Sequence, residues 1–329
     1  MLTVPRLLSC LALAGLLTPG VASPRTAPAT PIAHSHNDYL QERPLFDALD
    51  RGFTSIEADV FPRGRELRVA HTVWGIRKGR TLESLYLRPL RDQLGRARAT
   101  GDASPAASDR SDATGDLGHH ADEIPLAPGD DHHGAEKGRR GAGDDRNSSA
   151  AGGGAHDGAT RAILLIVDVK GRPGRTYATL KELLAEYADI IAPPAELGAP
   201  GKVTILLSGR RPVEELLADG GALVGLDGRL GGEDDAIPSS ISPLVSLNWR
   251  GHFWWSGRGE FPEGERVRLR EMVNAIHAAG KKVRFWESPD REEVWRELIA
   301  AGVDVISADD LPRLESYLNL SPRASPPAP

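Results

Sequence analysis

The sequence predicts an α/β fold, a single (β/α)8 TIM barrel with one long insertion. Short apolar strands rich in β-branched residues alternate with amphipathic helices along most of the 329 residues, which is typical of parallel βαβ units. About eight such units are present, and this number fits a closed barrel better than an open sheet. There is no Gly-x-Gly-x-x-Gly after the first strand and no Walker motif, so a nucleotide-binding open sheet is disfavoured.

The N-terminal residues 1–23 have the features of a secretory signal. Arg6 supplies a short basic start, Leu7–Leu17 is the apolar region, and Val21–Ser23 offers small residues before a cleavage site. The single cysteine, Cys10, lies in this segment, so the mature chain would contain no disulfide and no thiol nucleophile. We therefore expect a secreted or extracytoplasmic protein, with an uncleaved anchor as the alternative.

The remaining chain divides into a barrel and two segments of low complexity. We expect residues 24–98 and 161–320 to form the barrel. Residues 99–160 are rich in Gly, Asp, Ala, Ser and His and cannot bury enough apolar surface to offset chain entropy, which predicts a disordered insertion. Its histidines could bind transition metals loosely, or the segment is a solvated loop. Residues 321–329 are Pro/Ser-rich and are predicted to be a disordered tail.

The first half of the barrel carries a strand–helix–strand pattern followed by a hairpin. A short strand at residues 31–36 precedes a helix near Arg43–Arg51, where apolar side chains recur at helical spacing. The strand Thr54–Val60 follows, and a turn then returns the chain as a strand at Glu66–His71. A helix is predicted near Leu82–Ala97.

The second half repeats the alternation after the insertion. The predicted strands are Arg161–Lys170, Lys202–Ser208, Ala222–Leu226, Leu244–Trp249, Lys282–Glu287 and Val303–Ser307. The predicted helices are Tyr177–Ile191, Val213–Leu217, Gly264–Ala279 and Arg291–Ala301.

Polar side chains that can bind a metal or move a proton follow four of these strands. They are the run His34–Leu40, the pair Glu57 and Asp59, His71, and the pair Asp168 and Lys170. Side chains alternate between the two faces of a strand, so Glu57 and Asp59 point the same way. Neighbouring carboxylates repel each other unless a cation or a proton neutralises them. A hard divalent cation with oxygen ligands is therefore predicted, Ca²⁺ or Mg²⁺.

Several motifs resemble one known family. They are His34–Leu40, Pro44–Val60, Leu67–His71 and Leu82–Leu90, together with Asp168-x-Lys170, Phe285–Glu287 and Gly302–Asp309. This set is similar to the altered inheritance of mitochondria protein 6 family, part of the phospholipase C-like superfamily that includes glycerophosphodiester phosphodiesterases. The similarity is strong over residues 31–94 and looser over 161–312. It implies a phospholipase C-like phosphodiesterase barrel.

The resemblance also implies roles for individual residues. His36 and His71 become the catalytic histidines, with His34 as the alternative to His36, and Lys170 stabilises charge in the transition state. The implied metal ligands are Glu57, Asp59 and Asp168, with Asn37 as a fourth by similarity to phosphoinositide phospholipases C. The sequence departs in two places from the pattern that glycerophosphodiesterases usually show. His-Arg-Gly is absent, and Asp168-x-Lys170 resembles the sphingomyelinase D branch more than the common Glu-x-Lys.

The predicted activity is metal-assisted cleavage of a phosphodiester, a small molecule or a lipid head group. Arg210 and Trp249, at strand ends, are candidate substrate-binding residues. The aromatic loop from Trp249 to Phe261 could touch a membrane surface transiently or form a lid. The net charge of −6 gives no electrostatic footprint for nucleic acid. The alternatives are a phospholipase D-like phosphodiesterase and a non-catalytic barrel binding protein. A glycosidase is disfavoured because Glu57 and Asp59 are too close together.

Overall fold

The computed structural model describes residues 31–101 and 161–320. The predicted signal 1–23, almost all of the predicted insertion 99–160 and the predicted tail 321–329 lie outside the described residues.

The strands are β1 Ile32–Ser35, β2 Ser55–Arg63, β3 Glu66–Val69, β4 Ile163–Val169, β5 Ile191–Ala192, β6 Val203–Gly209, β7 Gly225–Gly228, β8 Leu244–Asn248, β9 Lys282–Trp286 and β10 Val305–Ala308. The α-helices are α1 Phe46–Asp50, α2 Arg88–Gly101, α3 Pro173–Ala185, α4 Val213–Ala218, α5 Trp249–His252, α6 Glu263–Ala278, α7 Glu292–Ala301 and α8 Leu311–Leu320.

Eight parallel strands close into a barrel, which confirms the predicted (β/α)8 architecture. The order around the barrel is β1, β2, β4, β6, β7, β8, β9 and β10, and β1 pairs with both β10 and β2. The two other strands are appendages: β3 forms an antiparallel hairpin with β2, and the short β5 pairs with β6. Every barrel strand runs in the same direction, so all the C-terminal ends meet at one mouth.

The inside of the barrel changes from apolar to charged along its axis. Five buried side chains pack together inside it, namely Leu164, Ile166, Leu206, Leu244 and Val305. Inward positions nearer the C-terminal ends of these strands are polar. On β4, for example, strand alternation places Asp168 on the same inward face as Leu164 and Ile166. The alternate residues of β4, Leu165 and Val167, belong to the larger core outside the barrel. This polarity gradient places charged groups at the mouth.

The outer layer of helices differs from the prediction mainly at element ends. The helix predicted over Tyr177–Ile191 is observed as α3, Pro173–Ala185. It begins at Pro173, a position where the backbone amide has no partner within the helix, so proline is tolerated. Ile191 and Ala192 instead form β5 beside β6. Helix α2 is preceded by a turn of π-helix at Glu83–Leu87. Among the described residues, no helix combines the length and apolarity that crossing a membrane requires.

Candidate active site

A cavity of about 570 Å³ opens at the mouth of the barrel. Six residues singled out from the sequence line it: His36, Asn37, Glu57, His71, Asp168 and Lys170. Eight other lining residues with polar or aromatic side chains were not predicted as site residues, although Trp286 and Glu287 belong to the Phe285–Glu287 motif: Ser208, Arg211, Asp227, Arg229, Ser246, Arg284, Trp286 and Glu287. Strands from all around the barrel therefore contribute polar side chains to this one cavity.

Three carboxylates gather at one side of the cavity. Single oxygen atoms of Glu57, Asp59 and Asp168 lie within 4.8 Å of one another. Asp59 and Asp168 sit at the same level on adjacent strands, because they are register partners of β2 and β4. Asp59 is fully buried and its Oδ1 has no hydrogen-bond partner. Burial raises the pKa of Asp59 to about 6, and the charges of Asp168 and Glu57 act in the same direction while Lys170 opposes them.

This donor set fits a hard divalent cation. All three groups offer carboxylate oxygens, which such cations prefer as ligands. The buried Oδ1 of Asp59 has no hydrogen-bond partner, and a bound cation would supply the interaction that a buried polar atom needs. Glu57, Asp59 and Asp168 are the residues that would hold the ion, as the sequence predicts. The identity of the ion, Ca²⁺ or Mg²⁺, stays a prediction.

Lys170 lies beside two of these carboxylates. Its Nζ is 3.2 Å from Asp59 Oδ2 and 3.1 Å from Asp168 Oδ1. Burial alone would lower the pKa of Lys170, but the negative charges of Asp168 and Asp59 outweigh it, and the pKa is raised. Lys170 is therefore a fixed positive charge in the cavity.

Tyr39 connects His71 to the carboxylates. Its hydroxyl oxygen lies 2.8 Å from Asp59 Oδ2, 2.6 Å from Asn37 Oδ1 and 3.0 Å from His71 Nδ1. His71 Nδ1 is itself 3.1 Å from Asp59 Oδ2. Burial and the charge of Asp59 raise the pKa of Tyr39, so the phenol stays protonated. Although Tyr39 belongs to the His34–Leu40 run, its role could not be predicted because a buried tyrosine is ordinarily a core residue.

His36 contacts Asp309, which follows the neighbouring strand β10. Its Nδ1 lies 2.8 Å from Asp309 Oδ1, at the end of β10. Burial alone would lower the pKa of His36, but the hydrogen bond to Asp309 and the negative charge of Glu57 outweigh it and raise the pKa. The next residue, Asn37, has φ 49°, a left-handed conformation that Asn tolerates better than most residues. This turn carries Asn37 into the cavity lining beside His36.

His34 occupies a different position from His36. It is fully buried, does not line the cavity, and its Nε2 lies 3.2 Å from Glu57 Oε2 and 2.6 Å from Arg284 Nη1. Its Nδ1 lies 2.7 Å from Ser55 Oγ. Burial, followed by the charge of Arg284, lowers the pKa of His34 to about 4. The geometry thus places His36 at the cavity and His34 beneath it, as a neutral partner of Glu57.

Arg284 forms the charged floor of the cavity. It is buried on β9, where Nη1 donates to Glu57 Oε2 at 3.0 Å, Nη2 to Asp227 Oδ2 at 3.2 Å and Nε to Ser246 Oγ at 2.8 Å. Burial alone would raise the pKa of Glu57, but His34 and Arg284 hold it well below its usual range. Burial raises the pKa of Asp227 to about 6, against the charge of Arg284. One guanidinium therefore organises two buried carboxylates.

The structure does not bring Arg210 or Trp249 to the cavity. Arg210 is exposed, and the next residue, Arg211, lines the cavity and pairs with Asp234. Trp249 is buried in the outer core and donates through Nε1 to the Trp255 carbonyl at 3.0 Å. Period-two alternation explains this location, since Trp249 continues the outward face of β8.

Comparison with known proteins points to one group. Residues 25–116 match the model of an AIM6-like phosphodiesterase domain, and residues 282–312 match the glycerophosphoryl diester phosphodiesterase family. The altered inheritance of mitochondria protein 6 homolog of Arthroderma benhamiae is 26% identical over 303 residues, covering 86% of this chain and 82% of that protein. The Kluyveromyces lactis altered inheritance of mitochondria protein 6 is 45% identical over 67 residues, which cover 20% of this chain and 16% of that protein.

Solved structures similar to this chain include one described as a glycerophosphodiester phosphodiesterase and one described as a phosphodiesterase. One from Parabacteroides distasonis has a TM-score of 0.43 and 12% identity over 89% of this chain and 98% of that one. An Oleispira antarctica phosphodiesterase, solved with the product sn-glycerol-3-phosphate, has a TM-score of 0.45 and 13% identity over 88% of this chain and 97% of that one. The sequence matches confirm the resemblance predicted from the motifs: residues 25–116 are similar to an AIM6-like phosphodiesterase domain, and the longer alignment is to an altered inheritance of mitochondria protein 6 homolog.

Proposed function

We propose that the chain is a secreted, metal-dependent phosphoric diester hydrolase that uses two histidines as general acid and base. The observation that carries this proposal is the clustering of Glu57, Asp59 and Asp168 at the edge of the cavity that His36 and His71 line. Metal-binding carboxylates beside two imidazoles are the groups that a phosphodiesterase requires.

The three carboxylates form the proposed cation-binding site, called the cation seat below, and Asn37 would supply a further oxygen ligand. A divalent cation bound there would withdraw charge from a phosphoryl oxygen and lower the pKa of the attacking hydroxyl. The unpaired Oδ1 of Asp59 supports this seat. Arg284 and His34 keep Glu57 ionised, and Tyr39 keeps Asp59 in place, so the ligand set is held before a cation arrives.

The two histidines lie where they can exchange protons with a diester in the cavity. One takes the proton of the attacking hydroxyl and the other gives a proton to the leaving oxygen. Asp309 holds Nδ1 of His36, and Tyr39 with Asp59 holds Nδ1 of His71, which leaves Nε2 of His71 for the substrate. Nε2 of His36 lies 3.4 Å from Asn37 Nδ2, beside the cavity. An unperturbed imidazole pKa of about 6.5 suits both directions of transfer.

Positive side chains around the carboxylates suit an anionic diester. Lys170, Arg211 and Arg229 line the cavity, and Lys170 is the one closest to the proposed cation seat. We assign to Lys170 the stabilisation of charge that grows on the phosphoryl oxygens in the transition state. The proposed substrates are glycerophosphodiesters or phospholipid head groups. The alternatives are a phospholipase D-like reaction on the same diester, and binding without turnover.

A phosphorus NMR time course of the purified chain tests the proposal. The substrates are glycerophosphocholine, lysophosphatidylcholine and sphingomyelin, each with calcium, with magnesium and with chelator, beside His36→Ala and His71→Ala. We expect cation-dependent turnover that both variants lose. A cyclic phosphate signal would identify the nucleophile as the substrate's own hydroxyl. With sphingomyelin, a ceramide phosphate signal in place of phosphocholine would establish the phospholipase D-like alternative. No turnover of any diester by the folded chain would contradict the proposal and favour a binding protein.

A further inference from the structure

Two tryptophans lie almost entirely in solvent. Trp74 is 92% exposed and Trp254 is 94% exposed. Trp249, Trp255 and Trp295 are buried, so the chain has core positions for indole rings and still leaves two in water. Such exposure leaves a large apolar surface unburied, and tryptophan is enriched where one side of a protein meets a lipid–water interface.

Both tryptophans belong to loops at the mouth of the barrel. Trp74 lies in residues 70–81, which follow β3, and the start of that stretch is fixed at the barrel rim because the Ala70 amide donates to the Asp59 carbonyl at 3.1 Å. We call it the Trp74 loop. Trp254 lies in residues 250–259, which follow β8, and we call this stretch the Trp254 loop.

The two loops stand on opposite sides of the cavity. In the closed order of eight strands, β2 with its hairpin partner β3 is four positions away from β8, half of the circuit. Arg80 donates to the Tyr39 carbonyl at 2.6 Å, which ties the Trp74 loop to the turn after β1. Leu40 in that turn is 69% exposed and adds apolar surface on the same side. The exposed rings therefore flank the opening of the cavity.

The charge of both loops is positive in a protein whose net charge is −6. Neither the Trp74 loop nor the Trp254 loop contains an Asp or Glu. Their exposed basic side chains are Arg77, Lys78, Arg250 and Arg258. Glu287, Asp290 and Asp309 follow β9 and β10 and lie outside both loops. Glu260 and Glu265 border the Trp254 loop, and Glu265 accepts from the Trp254 and Trp255 amides at 3.4 and 3.3 Å. Tryptophan with lysine and arginine is the side-chain set that binds an anionic bilayer surface, by insertion and by attraction to phosphate.

We propose that the mouth of the barrel docks on an anionic lipid bilayer through the Trp74 loop and the Trp254 loop. The indole rings enter the interface and the four basic side chains lie among the lipid phosphates. The cavity then faces the bilayer, so that the diester entering it is a head group still attached to its lipid. This assignment of substrate class rests on the proposed function, whereas the docking itself does not.

Vesicle co-sedimentation of the purified chain tests the docking. The vesicles are phosphatidylcholine alone and phosphatidylcholine mixed with phosphatidylglycerol, each at low and high salt. We expect binding to the mixed vesicles that weakens as salt increases, with a blue shift of tryptophan fluorescence. Trp74→Ala and Trp254→Ala should each weaken binding about tenfold, and the double Arg77→Glu, Lys78→Glu variant should abolish it. Leu217→Ala is the control, since Leu217 is exposed on α4 away from both loops and should leave binding unchanged.

Three results would overturn the docking proposal. They are failure of the wild-type chain to bind either vesicle, equal binding by the double Trp74→Ala, Trp254→Ala variant, and sedimentation-velocity dimers that this double variant abolishes. The last result would identify a second copy as the occupant. Hydrolysis of a soluble glycerophosphodiester separates docking from catalysis, because the double tryptophan variant should keep the wild-type rate. Sedimentation with anionic vesicles without turnover of any diester would support docking while contradicting the proposed function.

Discussion

Arg284 Nη1 lies 3.0 Å from Glu57 Oε2, and both side chains are almost completely buried inside the barrel. Removing two charges from water is costly, and the buried pair is stable only because further groups hydrogen-bond to both side chains. Asp227 and Ser246 accept from the same guanidinium, and His34 contacts the same carboxylate oxygen. The network keeps Glu57, one of the three proposed cation ligands, ionised.

Arg284→Met should destabilise the fold strongly. It leaves Glu57 and Asp227 buried without their shared cation, and breaking a buried pair in this way costs about 3–5 kcal/mol. The free energy of unfolding in urea is the measurement, with Arg266→Met as the control. Arg266 pairs with Glu297 near the surface, so its loss should cost about 1 kcal/mol or less. If the two variants lowered the free energy of unfolding equally, the Arg284 network would contribute no more to stability than a surface ion pair.

Gly209→Ala should weaken cation binding. Gly209 has φ +67°, and a Cβ there would lie 2.3 Å from Asp168 Oδ1, so the carboxylate must move. We expect a loss of roughly tenfold or more in calcium affinity, measured by isothermal titration calorimetry. Gly220→Ala is the matched control, since Gly220 has φ +66° and open space around its Cβ position. It should carry the same backbone strain and leave calcium affinity unchanged; a similar loss in both variants would refute the role given to Gly209.

Tyr39→Phe should reduce cation affinity without unfolding the chain. The ring keeps its packing, but Asp59 Oδ2 and Asn37 Oδ1 lose the hydroxyl that lies within 2.8 Å of each. Loss of a hydrogen bond to a metal ligand typically costs 10- to 100-fold in affinity, and we expect about tenfold here. Tyr177→Phe, which loses a surface hydrogen bond to Asp219, is the control. Unchanged calcium affinity in Tyr39→Phe would contradict a positioning role for Tyr39.

The sequence predicted the barrel and much of its mouth because two simple periodicities hold throughout. Alternating strands and helices specify parallel units, and parallel strands present their ends on one side. Glu57, Asp59, Asp168 and Lys170 therefore converge as expected from strand alternation. Boundaries such as the end of α3 were less predictable, because an apolar residue like Ile191 suits a strand and a helix equally.

Arg284 could not be recognised from the sequence as part of the site. The run Lys282–Trp286 alternates polar and apolar residues, which ordinarily describes a strand with one solvated face. In this barrel both faces are buried, and the polar face of β9 points inward to Glu57 and Asp227. Only the closure of the sheet, a long-range property, reveals this.

Arg210 and Trp249 were predicted to bind substrate but lie outside the cavity, for different reasons. Gly209 adopts a left-handed conformation, so the chain changes direction there and Arg211 lines the cavity in place of Arg210. Trp249 begins α5 and continues the outward face of β8, where it packs against Phe253 and Phe285. The period of β6 therefore no longer applies at Arg210, whereas Trp249 still follows the period of β8 and for that reason points away from the cavity.

The most direct test of the central claim is turnover of a diester by chelator-treated chain as calcium or magnesium is added back. The account predicts no turnover in chelator, full recovery on re-addition, and a half-saturating cation concentration raised at least about tenfold in Asp168→Asn. Ser316→Ala, on the outer helix α8, should behave as wild type. Turnover that persists in chelator, or an Asp168→Asn variant with the wild-type cation dependence, would contradict a catalytic cation held by Glu57, Asp59 and Asp168.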